Sequence, residues 1–217
     1  MFPSVIRPLL LVALFADWNQ LSDVLSDRLG LDAPGFASPW KIPLTALGLV
    51  VQFGGIVWLG SVVWGRSSLR GLGWTFASAT RLVVEGLALT VVLVGLVYAV
   101  YAAMEGAEGV HELTQAIATL PLGRRVFFTV MGARNAFVEE TLFRGDLLGA
   151  LEKRWGKVAG VLLSSVVFAL YHRTLTPVPL AMKFVTGALY AVATVRARSL
   201  VPAAIGHWLL WAIVADN

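Results

Sequence analysis

The sequence predicts an all-α fold, a polytopic membrane bundle of six to seven transmembrane helices, and three observations predict it. The 217 residues are 58% hydrophobic and only 14% charged, against about 25% charged in soluble domains, and mean hydropathy is +0.77. Apolar runs near the length of about 20 residues that a bilayer core requires follow one another with almost no room between them. A chain of this size also cannot hide so much apolar side chain in one core, because small domains leave a large fraction of their surface exposed. The surplus faces lipid.

The run from Val5 to Ala16 has a basic start and an apolar middle like a signal peptide, but no good small-x-small cleavage site, so it reads as a first, short membrane helix. A polar stretch from Asp17 to Pro39 follows and suits the interface. Residues 1–41 thus form an N-terminal unit and 42–217 the bundle. Ile42 to Trp64 is the cleanest span, with Trp40, Trp64 and Trp74 where an aromatic belt would sit. Leu82 to Met104 is the second. Val126 to about Ala150 is long enough for a third, yet contains Arg134, Asn135, Glu139, Glu140, Arg144 and Asp146, so it must look into the protein. Val158 to His172, Pro179 to Val195 and Leu200 to Ala215 complete the series. Gly145 and Gly149, then Gly156 and Gly160, have the small-xxx-small spacing of a close helical hairpin.

Seventeen Lys and Arg against thirteen Asp and Glu give a net charge of +4. The cations lie singly or in pairs between apolar runs, without the basic stripe and interleaved aromatics of a nucleic-acid surface, so no nucleic-acid partner is expected. Thirteen of the cations are Arg, and with the abundance of Ala, Gly, Val and Leu this suggests a bacterial protein of the cytoplasmic membrane. The absence of Cys excludes disulfides, thiolate metal sites and a Cys nucleophile. One set of alternate loops holds Arg66, Arg70, Arg81, Lys153, Arg154, Lys157, Arg196 and Arg198, the other Arg28, Lys41, Arg124, Arg125 and Arg173. Eight against five makes the first set cytoplasmic, and with seven spans the C-terminus lies outside. Oligomeric state is not legible.

Charges inside spans are functional candidates because each costs a few kcal/mol, about 2.5–3.5, unless paired or hydrated. On a helix Glu140 and Arg144 lie about 40° apart and suit an ion pair, while Glu139 points about 100° away and is left for a cavity. His172 and His207 fall inside spans, whereas His111, among Glu105, Glu108 and Glu112, reads as a solvated loop residue. From a boundary near Glu152 and Lys157, Glu139 and His172 lie about 20 and 22 Å deep, and His207 about 12 Å past Ser199, so all three can meet near the midplane. One carboxylate and two imidazoles there can activate water, as a general base with partners or as ligands of a catalytic metal. Lys183 reads as a cation snorkelling to the interface, and Arg173 as a loop charge.

Glu139-Glu140-Thr-Leu-Phe-Arg144 reads as an EExxxR motif and Phe168-Ala-Leu-Tyr-His172 as FxxxH. At this separation they resemble the core of the CAAX prenyl protease and bacteriocin-processing (CPBP, or ABI) intramembrane endopeptidases, over roughly 126–215. The resemblance implies an intramembrane protease in which Glu139 activates water, Glu140 and Arg144 are structural or orient substrate, and His172 and His207 complete the site. It leaves open a metal-free glutamate mechanism or Zn2+ held by Glu139, His172 and His207. It also implies a membrane-anchored protein substrate cut near its C-terminal end, in the manner of prenylated tails, bacteriocin precursors or the sorting helices handled by myxosortases. The family's Asn or Asp four residues after the last His is here Trp211. Asn135, one turn before Glu139, and the Trp211 indole are the two candidates to stand in for it. A non-catalytic immunity or scaffold protein of the same fold and a small proton-coupled transporter are the competing readings.

Overall fold

The structure, a computed structural model, describes residues 5–6, 8–13, 41–64 and 69–214. These are helical apart from short connections, and no strand occurs among them. The polar stretch 17–39 and Trp40 lie outside the described residues. Of the N-terminal run, residues 8–13 are helical and bury Leu11 and Val12 in the main core.

Helix α1 is Lys41–Trp64 and α2 is Ala79–Thr119. Exposed valines on α2, among them Val84, Val91 and Val92, give it a lipid-compatible face. The opposite side packs closely on the last helix: a Cβ on Gly86 would lie 2.7 Å from the Ile205 side chain, and one on Gly206 2.8 Å from the Leu89 side chain. Each glycine is the hole for the other helix's side chain. The expected loop after Met104 is instead a second arm of α2. The chain turns at Gly106, whose φ of 70° suits glycine, and continues to Thr119. His111 is exposed as expected, but on a helix. Arg125 ends that arm by donating to the carbonyls of Ile117, Ala118 and Leu120 at 2.7–3.0 Å, which satisfies the last turn.

Helix α3 (Leu122–Glu140) runs through a π-helical segment, Thr141–Leu147, into α4 (Leu148–Tyr171). Gly156, at φ 83°, breaks α4, so residues 157–171 return antiparallel to the rod 122–155. The expected hairpin is therefore present, with one close contact from the glycine series. A Cβ on Gly160 would lie 3.0 Å from the Glu152 backbone, whereas Gly145 makes room for the Leu72 carbonyl and Gly149 meets nothing within 4 Å. Helices α5 (Pro177–Ala197) and α6 (Val201–Val214) follow.

By length and composition Ala79–Thr119, Leu122–Tyr171 and Pro177–Ala197 can each cross a membrane, and α6 and part of α1 are shorter apolar helices. The molecule is an integral membrane protein of all-α class. The turn after α1 is tied to the α5–α6 connection: Leu200 N–H donates to the Gly73 carbonyl at 3.0 Å, Thr75 to the Arg198 carbonyl and Ser199 to the Thr75 carbonyl. Two of the loops assigned to one side by their cations are thus joined. Trp74 departs from the aromatic-belt expectation. It is buried, stacks on Phe137 at 5.0 Å and donates its indole N–H to Thr141 at 3.0 Å.

Candidate active site

The site is built where α3 passes into the π segment. Glu139 lies 17 residues before Gly156 and His172 lies 16 after it. Antiparallel arms of equal rise bring both to one level. His207, six residues into α6, meets them. The π segment widens the helix just after the adjacent glutamates, where Trp74 is bonded to Thr141 and the Leu72 carbonyl packs on Gly145.

Glu140 is fully buried, and its charge is met twice. Arg144 approaches it with Nη1 3.3 Å from Oε1 and Nε 3.3 Å from Oε2, and donates Nη2 to the Gly187 carbonyl at 3.0 Å. The guanidinium lies 4.2 Å from the centre of the Phe168 ring and 5.2 Å from that of Tyr190. Close approach of α4 to α5 there depends on Gly187, since a Cβ would stand 3.0 Å from Phe168. His207 adds its Nδ1 at 2.8 Å from Glu140 Oε1 and stacks on Tyr190 at 4.9 Å and 15°.

These contacts fix the tautomers. A carboxylate held by Arg144 accepts, so His207 carries its proton on Nδ1. His172 Nδ1 is 2.8 Å from the Phe168 carbonyl, which can only accept, so the same holds there. Both imidazoles, when neutral, present a bare Nε2, and both face Glu139. His207 Nε2 is 3.9 Å and His172 Nε2 4.0 Å from Glu139 Oε2. That oxygen is buried and has no hydrogen-bond donor. Three acceptors converge on one small space, with His172 its more open wall.

Zinc bonds to such ligands run about 2.0–2.1 Å, which sets neighbouring ligand atoms of a tetrahedral ion about 3.3 Å apart. The two gaps here are wider, and no group of three or more His, Asp or Glu among the described residues is close enough to hold a metal ion. A water molecule, with hydrogen bonds of about 2.8 Å, bridges gaps of this width.

The structure thus gathers Glu139, Glu140, Arg144, His172 and His207. Asn135 is half-buried one turn before Glu139 and makes no hydrogen bond to them among the described residues. Trp211 packs its Cβ on Gly132, two turns from Glu139. Sequence reasoning missed Tyr190, Gly187 and the stacking role of Phe168. Their signal was helical spacing: Gly187 and Tyr190 share the α5 face that carries Lys183.

A multi-pass helical protein with a buried glutamate and two histidines opposed across its bundle has the build of an intramembrane hydrolase. Residues 121–213 match the family described as Rce1-like, type II CAAX prenyl endopeptidase, and over this region the chain is similar to that family. No curated protein and no solved structure matches the chain.

Proposed function

We propose that the protein is an intramembrane endopeptidase that hydrolyses a peptide bond near the membrane-associated C-terminal end of a protein substrate. One observation carries the reading: a buried, donor-less carboxylate oxygen of Glu139 lies 3.9–4.0 Å from the Nε2 atoms of two imidazoles whose Nδ1 atoms are each engaged by an oxygen acceptor. A water placed there donates one O–H to Glu139 and the other to an imidazole, leaving a lone pair free for a carbonyl carbon. Glu139 takes the proton as hydroxide adds, then returns it to the leaving amine nitrogen as the C–N bond breaks. Glu140 and Arg144 do not touch the reacting atoms in this scheme. They hold His207 in its tautomer, as a carboxylate behind a histidine does in many hydrolases. The match of residues 121–213 to the Rce1-like family supports the peptidase chemistry, and the Arg-rich, Cys-free sequence favours a bacterial cytoplasmic membrane. A sorting-helix substrate of the myxosortase kind suits a site inside the membrane.

The test compares membrane-protein termini by mass spectrometry in cells with the wild type, a deletion and Glu139→Ala. The same uncut precursors in the deletion and the variant are expected, and the cut site then names the substrate. A change in the deletion alone favours a non-catalytic scaffold, and a change in neither favours transport. Turnover that survives 1,10-phenanthroline supports the Glu139–water route. Loss that Zn2+ restores assigns Glu139, His172 and His207 to an ion instead.

A further inference from the structure

The bundle holds a second polar space, away from the histidines. A cavity of about 410 Å³ lies between the bend of α4 and the end of α5, and its wall includes Arg144, Gly149, Glu152, Lys157, Thr194 and Arg198. Lys157 follows the break at Gly156, and Arg198 ends α5 at φ 53°. Both are exposed and mark the mouth. Neither makes an ion pair within 4 Å among the described residues. The backbone that carries Arg198 is tied down, since its carbonyl accepts from Thr75 Oγ1 at 2.9 Å. Thr194, one turn before Arg198 on the same face, is buried, and its hydroxyl has no hydrogen-bond partner. Gly149 leaves room in the wall, because a Cβ there would meet nothing within 4 Å. Arg144 is already held by Glu140. Lys157 and Arg198 are therefore set against one half-buried carboxylate, Glu152, and leave a positive charge in excess.

Charge, size and level decide what such a space takes. An ammonium and a guanidinium without partners, facing one concave space, attract an anion, and together they suit a phosphate. The volume lies in the range of small-molecule sites, and a lone inorganic ion would leave most of it unfilled. Both cations stand where membrane-spanning segments end. Trp155, beside Lys157 in the chain, is 52% exposed, and the Arg154 guanidinium lies 5.9 Å from the centre of its ring, a pairing that suits the headgroup layer. Lys157 and Arg198 also belong to the loop set expected to be cytoplasmic from its excess of cations, and that leaflet carries the anionic lipids that basic pockets between helices hold. We propose that this cavity is a binding site for a phosphate group, carried by the headgroup of an anionic phospholipid: Lys157 and Arg198 grip the phosphodiester at the mouth, and the polar headgroup occupies the space beside Gly149. The site is separate from the peptidase reading, and only Arg144 is common to both.

The probes are dioleoylphosphatidylglycerol, dioleoylphosphatidylcholine, water-soluble glycerophosphoglycerol and inorganic phosphate, each titrated against the full chain in a neutral detergent. Bound lipid is counted by native mass spectrometry, and the thermal midpoint is followed in parallel. Phosphatidylglycerol should bind about tenfold or more tightly than phosphatidylcholine and raise the midpoint. Lys157→Met combined with Arg198→Asn, a residue that tolerates the left-handed backbone, should bring the ratio of the two lipids to about one. Gly149→Leu, which fills the cavity and leaves both cations in place, should do the same without lowering the midpoint of the lipid-free chain. Lys153→Met, on the same bend but outside the cavity wall, should leave the ratio intact. Equal binding of the two lipids, or a folded Gly149→Leu protein that keeps the preference, overturns the proposal. A loss in Lys153→Met as large as in Lys157→Met also overturns it, since the attraction is then a diffuse surface charge. If inorganic phosphate or glycerophosphoglycerol displaces the lipid at equal concentration, the occupant is a free phosphate compound and the lipid assignment falls. None of these readings involves cleavage, so they stand or fall apart from the peptidase reading.

Discussion

Helix α2 and the stretch Leu122–Tyr171 are both long and apolar enough to cross a membrane, yet they hold their places by different means. The first arm of α2 buries Leu82, Gly86, Thr90 and Leu93, a narrow stripe at spacings of four, four and three, and leaves Val83, Val84, Leu87, Val91 and Val92 exposed. The other buries Glu139, Glu140, Thr141, Arg144 and Asp146 in a row. Lipid is as good a solvent for a valine as a neighbouring helix is, so α2 needs only small residues where backbones touch. A carboxylate or guanidinium has no such freedom and must be enclosed with its partner. The comparison sharpens within the second stretch. Glu140 has its charge met by Arg144 and His207, although its Oε2 lacks a formed hydrogen bond, while Glu139, one residue earlier, has a donor-less oxygen and only the two imidazoles opposite it at 3.9–4.0 Å.

The largest effect should come from Glu139→Gln. An amide cannot take the water proton, and loss of a general base costs about 10^2- to 10^4-fold, so turnover should fall at least a thousandfold while thermal stability in detergent changes little. A variant that keeps turnover, or that unfolds, would erase the contrast between the two glutamates. Arg144→Met should do the reverse first. Removing one partner of a buried pair costs about 3–5 kcal/mol, because Glu140 then stays charged and half-satisfied. Its thermal midpoint should drop sharply, and activity should be lost with it as His207 loses its anchor. A stable Arg144→Met protein would show that the pair does not organise the site. Leu93→Ala tests the apolar side of the comparison. Leu93 is fully buried, and truncation of such a side chain costs about 2–5 kcal/mol, with no effect on the catalytic constants of the molecules that remain folded.

Much of this contrast was legible in the sequence, and the reasons are physical. Charges inside an otherwise apolar run declare themselves because lipid forbids them, which identified Glu139, Glu140, Arg144 and the inward face of Val126 to Ala150. Helical rise was enough to bring His172 level with Glu139, since the two arms of a hairpin are counted from the same turn. The second arm of α2 was hidden because residues 107–119 carry Glu108, His111 and Glu112, and polarity there resembles a loop when the period is short. Trp74 was misplaced because an indole suits a membrane interface and a buried hydrogen bond to Thr141 equally well. The π segment left no sequence signal, since it lies where Gly145 packs on the Leu72 carbonyl, a contact between residues far apart in the chain.

Asn135→Ala asks whether the interior face extends one turn beyond the glutamates. Asn135 is half-buried, and an amide that met the developing oxyanion would be worth about 2.7–4 kcal/mol. It makes no hydrogen bond to the histidines among the described residues, so we expect a loss of kcat of only about tenfold, equivalent to about 1.4 kcal/mol. Unchanged cleavage would remove it from the site and leave the Trp211 indole as the remaining candidate.

The smallest effect belongs to Val91→Ala. Val91 is 73% exposed on the face of α2 that a bilayer would cover. In water such a truncation removes apolar surface that had no partner, and in lipid it exchanges one hydrocarbon contact for another. Substitutions away from packed features stay within about 0.5 kcal/mol, so the thermal midpoint should match wild type within error, two residues away from the costly Leu93→Ala. A large loss at Val91 would mean that another helix, supplied by a partner or by the chain's own N-terminal residues, covers this face, and α2 would then be enclosed on two sides as the catalytic stretch is.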